Sequence, residues 1–223
     1  MTYTRSLNAE PGTGAGRPSV GPLTPAGGSC RVNVTQFFTA TYADADGHIA
    51  YFHPEFVPRR DDRFDWTRPV DGSNPATEWH GVHGVEDSPH VVDPPNGWIQ
   101  NTNNWPFSAA GPNSPKQANY PKYMEVGTEN PRGIHAIRVL DGKSGFTLDS
   151  LIAAAFDPDL PEFDLLIPRL TGAFYKASAR DPRAARLAGP VAALRQWDRR
   201  WSTTSIETTL AVFWGEQLWT KVA

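Results

Sequence analysis

The stretch VNVTQFFTATYADADGHIAYFH, residues 32–53, carries the strongest strand signal in the chain and decides the fold class. Aromatic and β-branched residues, including Phe37 and Phe38, fill its first half, and a second run of such residues ends it. Between the two runs lies Asp46-Gly47, where glycine accepts the positive φ that a tight hairpin turn requires. The stretch therefore predicts an antiparallel β-hairpin.

A second β segment is predicted over residues 97–103, GWIQNTN, because these residues follow a rigid Pro-Pro-Asn-Gly corner. Between the hairpin and this segment, residues 54–96 are rich in Pro, Asp, Gly and Trp, which predicts long ordered loops. Loops of that length are uncommon in compact domains unless they have a functional role.

From about residue 131 onward the apolar spacing becomes helical, beginning with Ile134, Ile137 and Leu140. Thr147 is placed to cap the next helix, because a threonine hydroxyl can accept a hydrogen bond from a free backbone N–H of the first turn. Strands followed by helices predict the α+β class, with antiparallel strands first and a helical region after.

Prolines divide the rest of the helical region. Pro161 is predicted in the first turn of one helix and Pro168 at a kink or restart of it. Asp181-Pro182 is predicted to open a further helix, and Pro190 to start a new one. An amphipathic helix is predicted at the end of the chain, with an apolar stripe comprising Ile206, Leu210, Phe213 or Trp214, and Leu218.

Residues 1–34 differ in composition from the remainder, since they are mostly Gly, Pro, Ser and Thr with few large apolar side chains. Such a stretch buries too little surface to offset the entropy lost on ordering, so it is predicted to be disordered. Its abrupt junction with a well-patterned segment suggests, as a hypothesis, translation from a different reading frame.

Charge and hydropathy exclude several classes of function. The formal net charge is −3 with no run of five or six like charges, which argues against a nucleic-acid-binding protein. No apolar run approaches the roughly 20 residues of a membrane helix, and the N-terminus lacks the apolar core of a secretion signal. Cys30 is the only cysteine, so an internal disulfide and a thiolate metal cage are both excluded.

Two patterns of metal-ligating residue types have simpler interpretations. Asp44 and Asp46 resemble the start of a calcium loop, but the distal Glu is missing and the flanks are strands, so a hairpin turn is favoured. His80, His83 and His90 lack a supporting helix and a suitably spaced carboxylate, so they are interpreted as loop histidines. No metal site is predicted.

Two further patterns could support acyl transfer. Ser29 and Cys30 follow a glycine, and self-cleavage there would expose a nucleophile beside its own amine, which could act as the base. Asn101, Asn103 and Asn104 cluster in GWIQNTNNWPFS, and a neutral amide donor is suited to stabilising the oxyanion of an acyl-transfer reaction. Asparagines are also common in turns, which is the competing interpretation.

Six segments in the same order resemble the penicillin acylase family of N-terminal-nucleophile amidohydrolases, which includes acyl-homoserine-lactone and aculeacin-type acylases. They are YADADGHIAYFHPEFVPRR, EWHGVH, VVDPPNGWIQNTNNWPFS, ENPRGIHAIRVL, PVAALRQWDRRWS and TTLAVFWGEQLW. Together they reach from about residue 37 to the end of the chain. A collinear series of this kind is far more specific than one short motif.

The resemblance implies roles for two residues. The first Asn of the Asn-Asn-x-Pro element supplies a side-chain donor to the family's oxyanion hole, which implies that role for Asn103. An Arg at the start of the following helix orients the region, which implies that role for Arg132. Asn104 is the alternative if the register differs by one residue.

The family's nucleophile, exposed at the N-terminus of the large subunit by self-cleavage, is not matched in this sequence. Ser29 and Cys30 lie too close to the hairpin to take its place, and neither the small subunit nor the late Trp-Gly-Glu-x-Asn motif is matched. The resemblance therefore covers the central part of the large subunit only. It implies a fragment, inactive alone, whose partners are the small subunit and the remainder of the large subunit.

The implied fold is part of the αββα sandwich, with residues 35–140 forming a β-rich part with long loops and residues 141–223 a helical region. The implied reaction hydrolyses linear amides of N-acyl compounds, such as acylated lactones, β-lactams or lipopeptides, through an acyl-enzyme. No cofactor is expected, although calcium occurs in complete family enzymes. A periplasmic or secreted location is implied by the family alone.

Two other hypotheses use different parts of the sequence. The first is a non-catalytic module in which tryptophan-rich loops bind a hydrophobic ligand. The tryptophans concerned are Trp66, Trp79, Trp98 and Trp105. The second is an autonomous enzyme that uses Ser29 or Cys30 as its nucleophile.

Overall fold

The computed structural model describes residues 39–54, 57–177 and 181–222, and these residues form two compact units. The first unit comprises the described residues of Met1–Gly133 together with Leu140–Ser144. The second comprises Ile134–Val139 and the described residues of Gly145–Ala223. The predictions made for residues 1–34, Ser29, Cys30, Phe37 and Phe38 lie outside the described residues.

A three-stranded antiparallel sheet forms the regular part of the first unit, with strand order β1-β2-β3. Its strands are β1 (Ala40–Ala43), β2 (Ile49–Phe52) and β3 (His90–Val92). The predicted hairpin is confirmed, since β1 pairs antiparallel with β2 around a turn in which Gly47 has φ of 92°. Asp44 Oδ1 closes the turn by accepting hydrogen bonds from the backbone N–H groups of Asp46 and His48.

The strand predicted over residues 97–103 is wrong, because this segment is irregular and the third strand lies earlier, at β3. Asn103 has φ of 57°, which takes the backbone out of the extended region. Asn101 Oδ1 also accepts a hydrogen bond from the Asn103 backbone N–H at 2.7 Å. Asparagine side chains thus replace a strand partner for these backbone groups.

Loops and short 3₁₀ helices connect β2, β3 and the helical region, as the composition predicted. The 3₁₀ helices are Pro75–Thr77, Pro106–Ser108, Gly111–Asn113 and Gln117–Asn119. An isolated bridge between Pro58 and Val82 and a hydrogen bond from the Arg59 backbone N–H to Gly81 O hold the long β2–β3 loop together.

Five α-helices follow, in the order strands then helices that the sequence predicted, so the described chain is α+β. They are α1 (Pro131–Leu140), α2 (Leu148–Ala155), α3 (Glu162–Ala177), α4 (Ala184–Gln196) and α5 (Ile206–Val222). The predicted cap of α2 is confirmed, since Thr147 Oγ1 accepts from Ser150 N and Ser150 Oγ accepts from Thr147 N. None of the helices in these ranges is long and apolar enough to cross a bilayer.

Two predictions about helix boundaries and faces need correction. Pro190 does not start a helix but lies inside α4. The ring removes one backbone hydrogen bond there, and burial of Val191 and Leu194 keeps the helix continuous. On α5, Leu210 and Trp214 pack against the core as predicted, whereas Ile206 and Phe213 are exposed, and the fully buried position is Ala211.

The core of the second unit joins α3, α4 and α5. Its buried members are Phe163, Ile167, Leu194, Trp197 and Ala211. Helical spacing places Phe163 and Ile167 on one face of α3. This face meets the end of α4 and the middle of α5, so three amphipathic helices share one apolar centre.

Acid is expected to weaken the second unit through Asp157, which follows α2. Hydrogen bonds from Asp159 N first, and then from His135 and Arg200, lower the pKa of Asp157 from 3.8 to about 2. A carboxyl whose pKa is depressed in the folded state contributes stability above its unfolded pKa and loses it as the pH falls through the folded pKa. The free energy of unfolding should therefore fall between pH 3.8 and about 2.

Urea denaturation at a series of pH values tests this expectation. Asp157→Asn should reduce the decline in that pH range, because the amide has no proton to gain. An unchanged decline in the variant would show that other carboxyl groups cause it.

Candidate functional site

Three asparagines close together in sequence have different environments in the loop before Pro106. Asn101 accepts the Asn103 backbone N–H, and Asn104 Oδ1 accepts the Thr102 backbone N–H at 3.1 Å. These contacts form a tight turn with Asn103 in the left-handed region, which asparagine tolerates better than most residues. The turn leaves the Asn103 side chain exposed and buries that of Asn104.

The Asn103 carboxamide is oriented by Arg132, the second residue of α1. Arg132 Nη1 and Nη2 both donate to Asn103 Oδ1, each at 3.3 Å. Because guanidinium groups are donors only, this contact identifies the oxygen end of the amide. Asn103 Nδ2 donates to no residue in the described ranges and remains available as a donor.

The side-chain amide of Asn104 donates its hydrogen bonds to groups within the protein. Its Nδ2 donates to Ser108 Oγ and to Glu129 Oε1, each at 2.9 Å. Glu129 Oε2 also accepts from Trp105 Nε1 at 3.3 Å. Asn104 is 8% exposed and therefore supports the turn, whereas Asn103 presents a donor at the surface.

The start of α1 is fixed to the same turn, which places Arg132 beside Asn103. Asn130 Oδ1 accepts from Gly133 N at 2.9 Å, as an N-cap residue does, and Pro131 occupies the first helical position. Asn130 Nδ2 donates to Thr102 O at 3.2 Å. A single side chain thus caps the helix and ties it to the asparagine turn.

Gly133 is required by the close approach of the Asn104–Glu129 pair. A methyl group at this position would lie 2.5 Å from Asn104 Nδ2 and would overlap Glu129 Oε1. Gly133→Ala is therefore expected to lower the free energy of unfolding by about 1–3 kcal/mol, as overpacking does. The shift in urea midpoint measures this loss.

Gly172 in α3 provides a matched control, because a methyl group there meets nothing within 4 Å. Gly172→Ala should raise the free energy of unfolding by about 0.5–1 kcal/mol through the reduced entropy of the unfolded chain. Equal midpoints for Gly133→Ala and the unmodified chain would contradict the proposed steric conflict.

A pocket of about 390 Å³ opens beside Asn103, within the first unit. Its lining comprises Thr39, Thr41, His53, Asn101, Asn103, Asn104, Trp105, Glu125, Gly127 and Thr128. Among the described residues of this wall hydroxyl and amide groups dominate, and His53 and Glu125 are its ionisable side chains. A pocket that combines neutral donors with a titratable pair is suited to acyl chemistry.

His53 and Glu125 form a close pair in this pocket. His53 Nε2 lies 3.0 Å from Glu125 Oε2, and both side chains are largely buried, at 5% and 15% exposure. The hydrogen bond with His53 lowers the pKa of Glu125, and the Gly127 N–H lowers it further, against the opposing effect of burial. The sequence gives no signal for this pair, because 72 residues separate its members and no motif spacing links them.

The tryptophans of the binding-module hypothesis have separate environments. Trp66 and Trp79 lie against the Arg60 guanidinium, with ring centroids 5.2 and 5.8 Å from its Cζ, and Tyr123 adds a third ring at 5.7 Å. Trp98 is buried, and Trp105 contacts Glu129. The first two rings thus share Arg60 as a common neighbour.

The three histidines considered as metal ligands are also separated in their contacts. His83 Nε2 lies 3.0 Å from Tyr123 Oη, and burial lowers the pKa of His83. His90 Nδ1 lies 2.8 Å from Ser88 O, and His80 is exposed. Among the described residues no group of three or more potential ligands is arranged to hold a metal ion.

Comparison with known proteins gives one family. The sequence profile described as penicillin amidase matches residues 30–223. Penicillin G acylase of Escherichia coli is 30% identical over 165 residues, which cover 70% of this chain and 17% of that protein. A solved structure of thermostable penicillin G acylase from Alcaligenes faecalis has a TM-score of 0.49 at 22% identity, covering 74% of this chain and 28% of that one. The chain therefore spans well under a third of either relative.

Proposed function

This chain belongs to the penicillin amidase family, and on that premise we propose that it is the oxyanion-hole segment of an amidohydrolase. The complete enzyme hydrolyses linear amides of N-acyl compounds through an acyl-enzyme. In this proposal residues 35–140 belong to the β-rich part of an αββα sandwich and residues 141–223 to the helical region that follows. Family membership further suggests a periplasmic or secreted location.

The observation that carries the proposal is the orientation of the Asn103 amide. With Oδ1 held by both terminal nitrogens of Arg132, Nδ2 is the end of the amide that can donate into the adjoining pocket. An oxyanion hole needs a neutral, preorganised donor at the position where the acyl oxygen becomes charged. Asn103 is thus the proposed catalytic donor, and Arg132 is a positioning residue.

Each step of the proposed reaction uses this donor in the same way. A nucleophile on another segment of the enzyme attacks the amide carbonyl carbon, and the electron pair of the C=O bond moves to the oxygen. The proton of the nucleophile passes to its own α-amine, and Asn103 Nδ2 stabilises the oxyanion. The oxyanion then collapses, the C–N bond breaks, and the amine leaves with the proton held by the α-amine. Water then attacks the carbonyl carbon of the acyl-enzyme in the same way, and the carboxylic acid is released.

Exposed apolar side chains in the helical unit support the view that other segments complete the fold. Large examples are Leu148, Phe156, Ile206, Phe213, Trp219 and Val222. Exposed apolar area of this kind marks interaction surfaces or sites of aggregation. We infer that the small subunit and the remainder of the large subunit cover it.

A split-enzyme assay tests the function. The chain is mixed with a penicillin G acylase polypeptide lacking the matching segment, and release of nitroaniline from N-acyl p-nitroanilides is measured. We expect hydrolysis by the mixture and none by either part alone. An assembled but inactive complex, shown by co-elution on size-exclusion chromatography, would contradict the proposal, as would amide hydrolysis by this chain alone.

A further inference from the structure

Three side chains form a continuous hydrogen-bonded series along the wall of the Asn103 pocket. Thr39 Oγ1 lies 2.9 Å from His53 Nδ1, and His53 Nε2 lies 3.0 Å from Glu125 Oε2. All three residues line the pocket that Asn103 also lines. A hydroxyl, an imidazole and a carboxylate in this order are the components of a nucleophile, its base and the group that orients the base.

The sheet register brings Thr39 and His53 together. Ala40 pairs with Phe52 in the β1–β2 ladder, so continuing the antiparallel register by one residue places Thr39 opposite His53. His53 is held at the end of β2 by a hydrogen bond from its backbone N–H to Pro89 O at 2.9 Å. Thr41 lies two residues after Thr39, so both hydroxyls occupy the same face of the sheet.

The contact between His53 and Glu125 favours one assignment of the imidazole proton. The pKa of Glu125 is lowered, so at neutral pH its carboxylate is ionised and can only accept. In the neutral imidazole, His53 Nε2 therefore carries the hydrogen and Nδ1 carries the lone pair. With this assignment Thr39 Oγ1, at 2.9 Å, is placed to donate to the lone pair, and Tyr51 Oη approaches the same atom at the longer distance of 3.3 Å.

We propose that Thr39, His53 and Glu125 form a hydrolytic relay that gives this chain its own activity toward small activated acyl esters. The pocket volume of about 390 Å³ is within the range of small-molecule sites. Esters of phenols are the substrate class, because a phenolate leaves without prior protonation. The relay is independent of the proposed amidohydrolase nucleophile, which lies on another segment.

The reaction requires no other reactant than water. Thr39 Oγ bonds to the ester carbonyl carbon as its proton moves to His53 Nδ1, and the carbonyl electron pair moves to the oxygen, near the Asn103 donor. The ester C–O bond then breaks, the phenolate takes the proton from His53, and acyl-Thr39 remains. Water attacks this ester, gives one proton to His53, and releases the carboxylic acid as Thr39 Oγ regains that proton.

The test uses the full chain with p-nitrophenyl acetate as the probe. Thr39→Ala and His53→Gln should each lower kcat/KM by about 100-fold or more, the scale of a lost acid–base contribution. Thr39→Ser restores the hydroxyl and should retain turnover. Thr67→Ala is the control, because it removes the same group from the first unit at a position that does not line this pocket. Its kcat/KM should remain within about twofold of the unmodified chain.

Covalent labelling provides a second measurement that does not depend on turnover. Diethyl p-nitrophenyl phosphate should transfer its diethylphosphoryl group to Thr39, as mass spectrometry of proteolytic peptides would show, and Thr39→Ala should remain unlabelled. Folding of each variant is checked by circular dichroism. Label on another residue, absence of label, or full turnover by Thr39→Ala would overturn the relay. Amide hydrolysis in the split-enzyme assay should survive Thr39→Ala, so failure of one proposal is distinguishable from failure of the other.

Discussion

Replacing Asn103 with alanine in the assembled enzyme should lower kcat for amide hydrolysis by about 100- to 1,000-fold, the cost of losing one oxyanion donor. KM should change little, because the proposed donor would act on charge that develops in the transition state rather than on the bound substrate. The measurement is initial-rate kinetics with an N-acyl p-nitroanilide in the split-enzyme assay.

Thr128→Ala provides the control for this prediction, since Thr128 is an exposed residue of the same pocket. Its kcat should stay close to that of the unmodified chain. A large rise in KM with unchanged kcat for Asn103→Ala would instead identify Asn103 as a substrate-binding residue. Full activity of the variant would remove the oxyanion role entirely.

The second large effect is expected at Trp197, in the core of the helical unit. This side chain is 6% exposed, its ring centroid lies 5.2 Å from that of Phe163, and its Nε1 donates to Arg200 O at 3.1 Å. Trp197→Ala leaves a large cavity and an unpaired carbonyl, so the free energy of unfolding should fall by about 3–5 kcal/mol.

Urea denaturation followed by the helical circular dichroism signal measures this loss. Trp219→Ala is the matched control, because Trp219 is 71% exposed on α5 and its removal should change the free energy of unfolding by no more than about 0.5 kcal/mol. Similar losses for the two variants would show that another partner buries Trp219 in solution.

Local signals in the sequence were accurate where a short segment determines its own structure. The Asp46-Gly47 pair correctly predicted the β1–β2 hairpin, and Thr147 correctly predicted the cap of α2. In both cases the deciding contacts join residues within a few positions of each other. The collinear segments also identified the family, which the profile match over residues 30–223 bears out.

The same local reasoning failed where distant residues compete with propensity. The composition of GWIQNTN predicts a strand. Instead, Gln100 N donates to Ala109 O in the following loop, and Asn103 adopts φ of 57°, so the segment is irregular. Pro190 is a residue type that favours a helix start, yet burial of Val191 and Leu194 keeps α4 continuous across it. Tertiary contacts outweigh propensities, which amount to a few tenths of a kcal/mol for most residues.

By itself, the amino-acid sequence determined the α+β class, the hairpin, the presence of a helical region after it, and the family. Only the tertiary structure decided which asparagine presents its amide, because Arg132 and Glu129 lie 29 and 25 residues from the Asn103 and Asn104 amides they bind. It also decided that Thr39, His53 and Glu125 meet in one pocket. Local patterns encode turns and periodicity, whereas hydrogen bonds between distant side chains exist only after the sheet register and the loops have brought those atoms together.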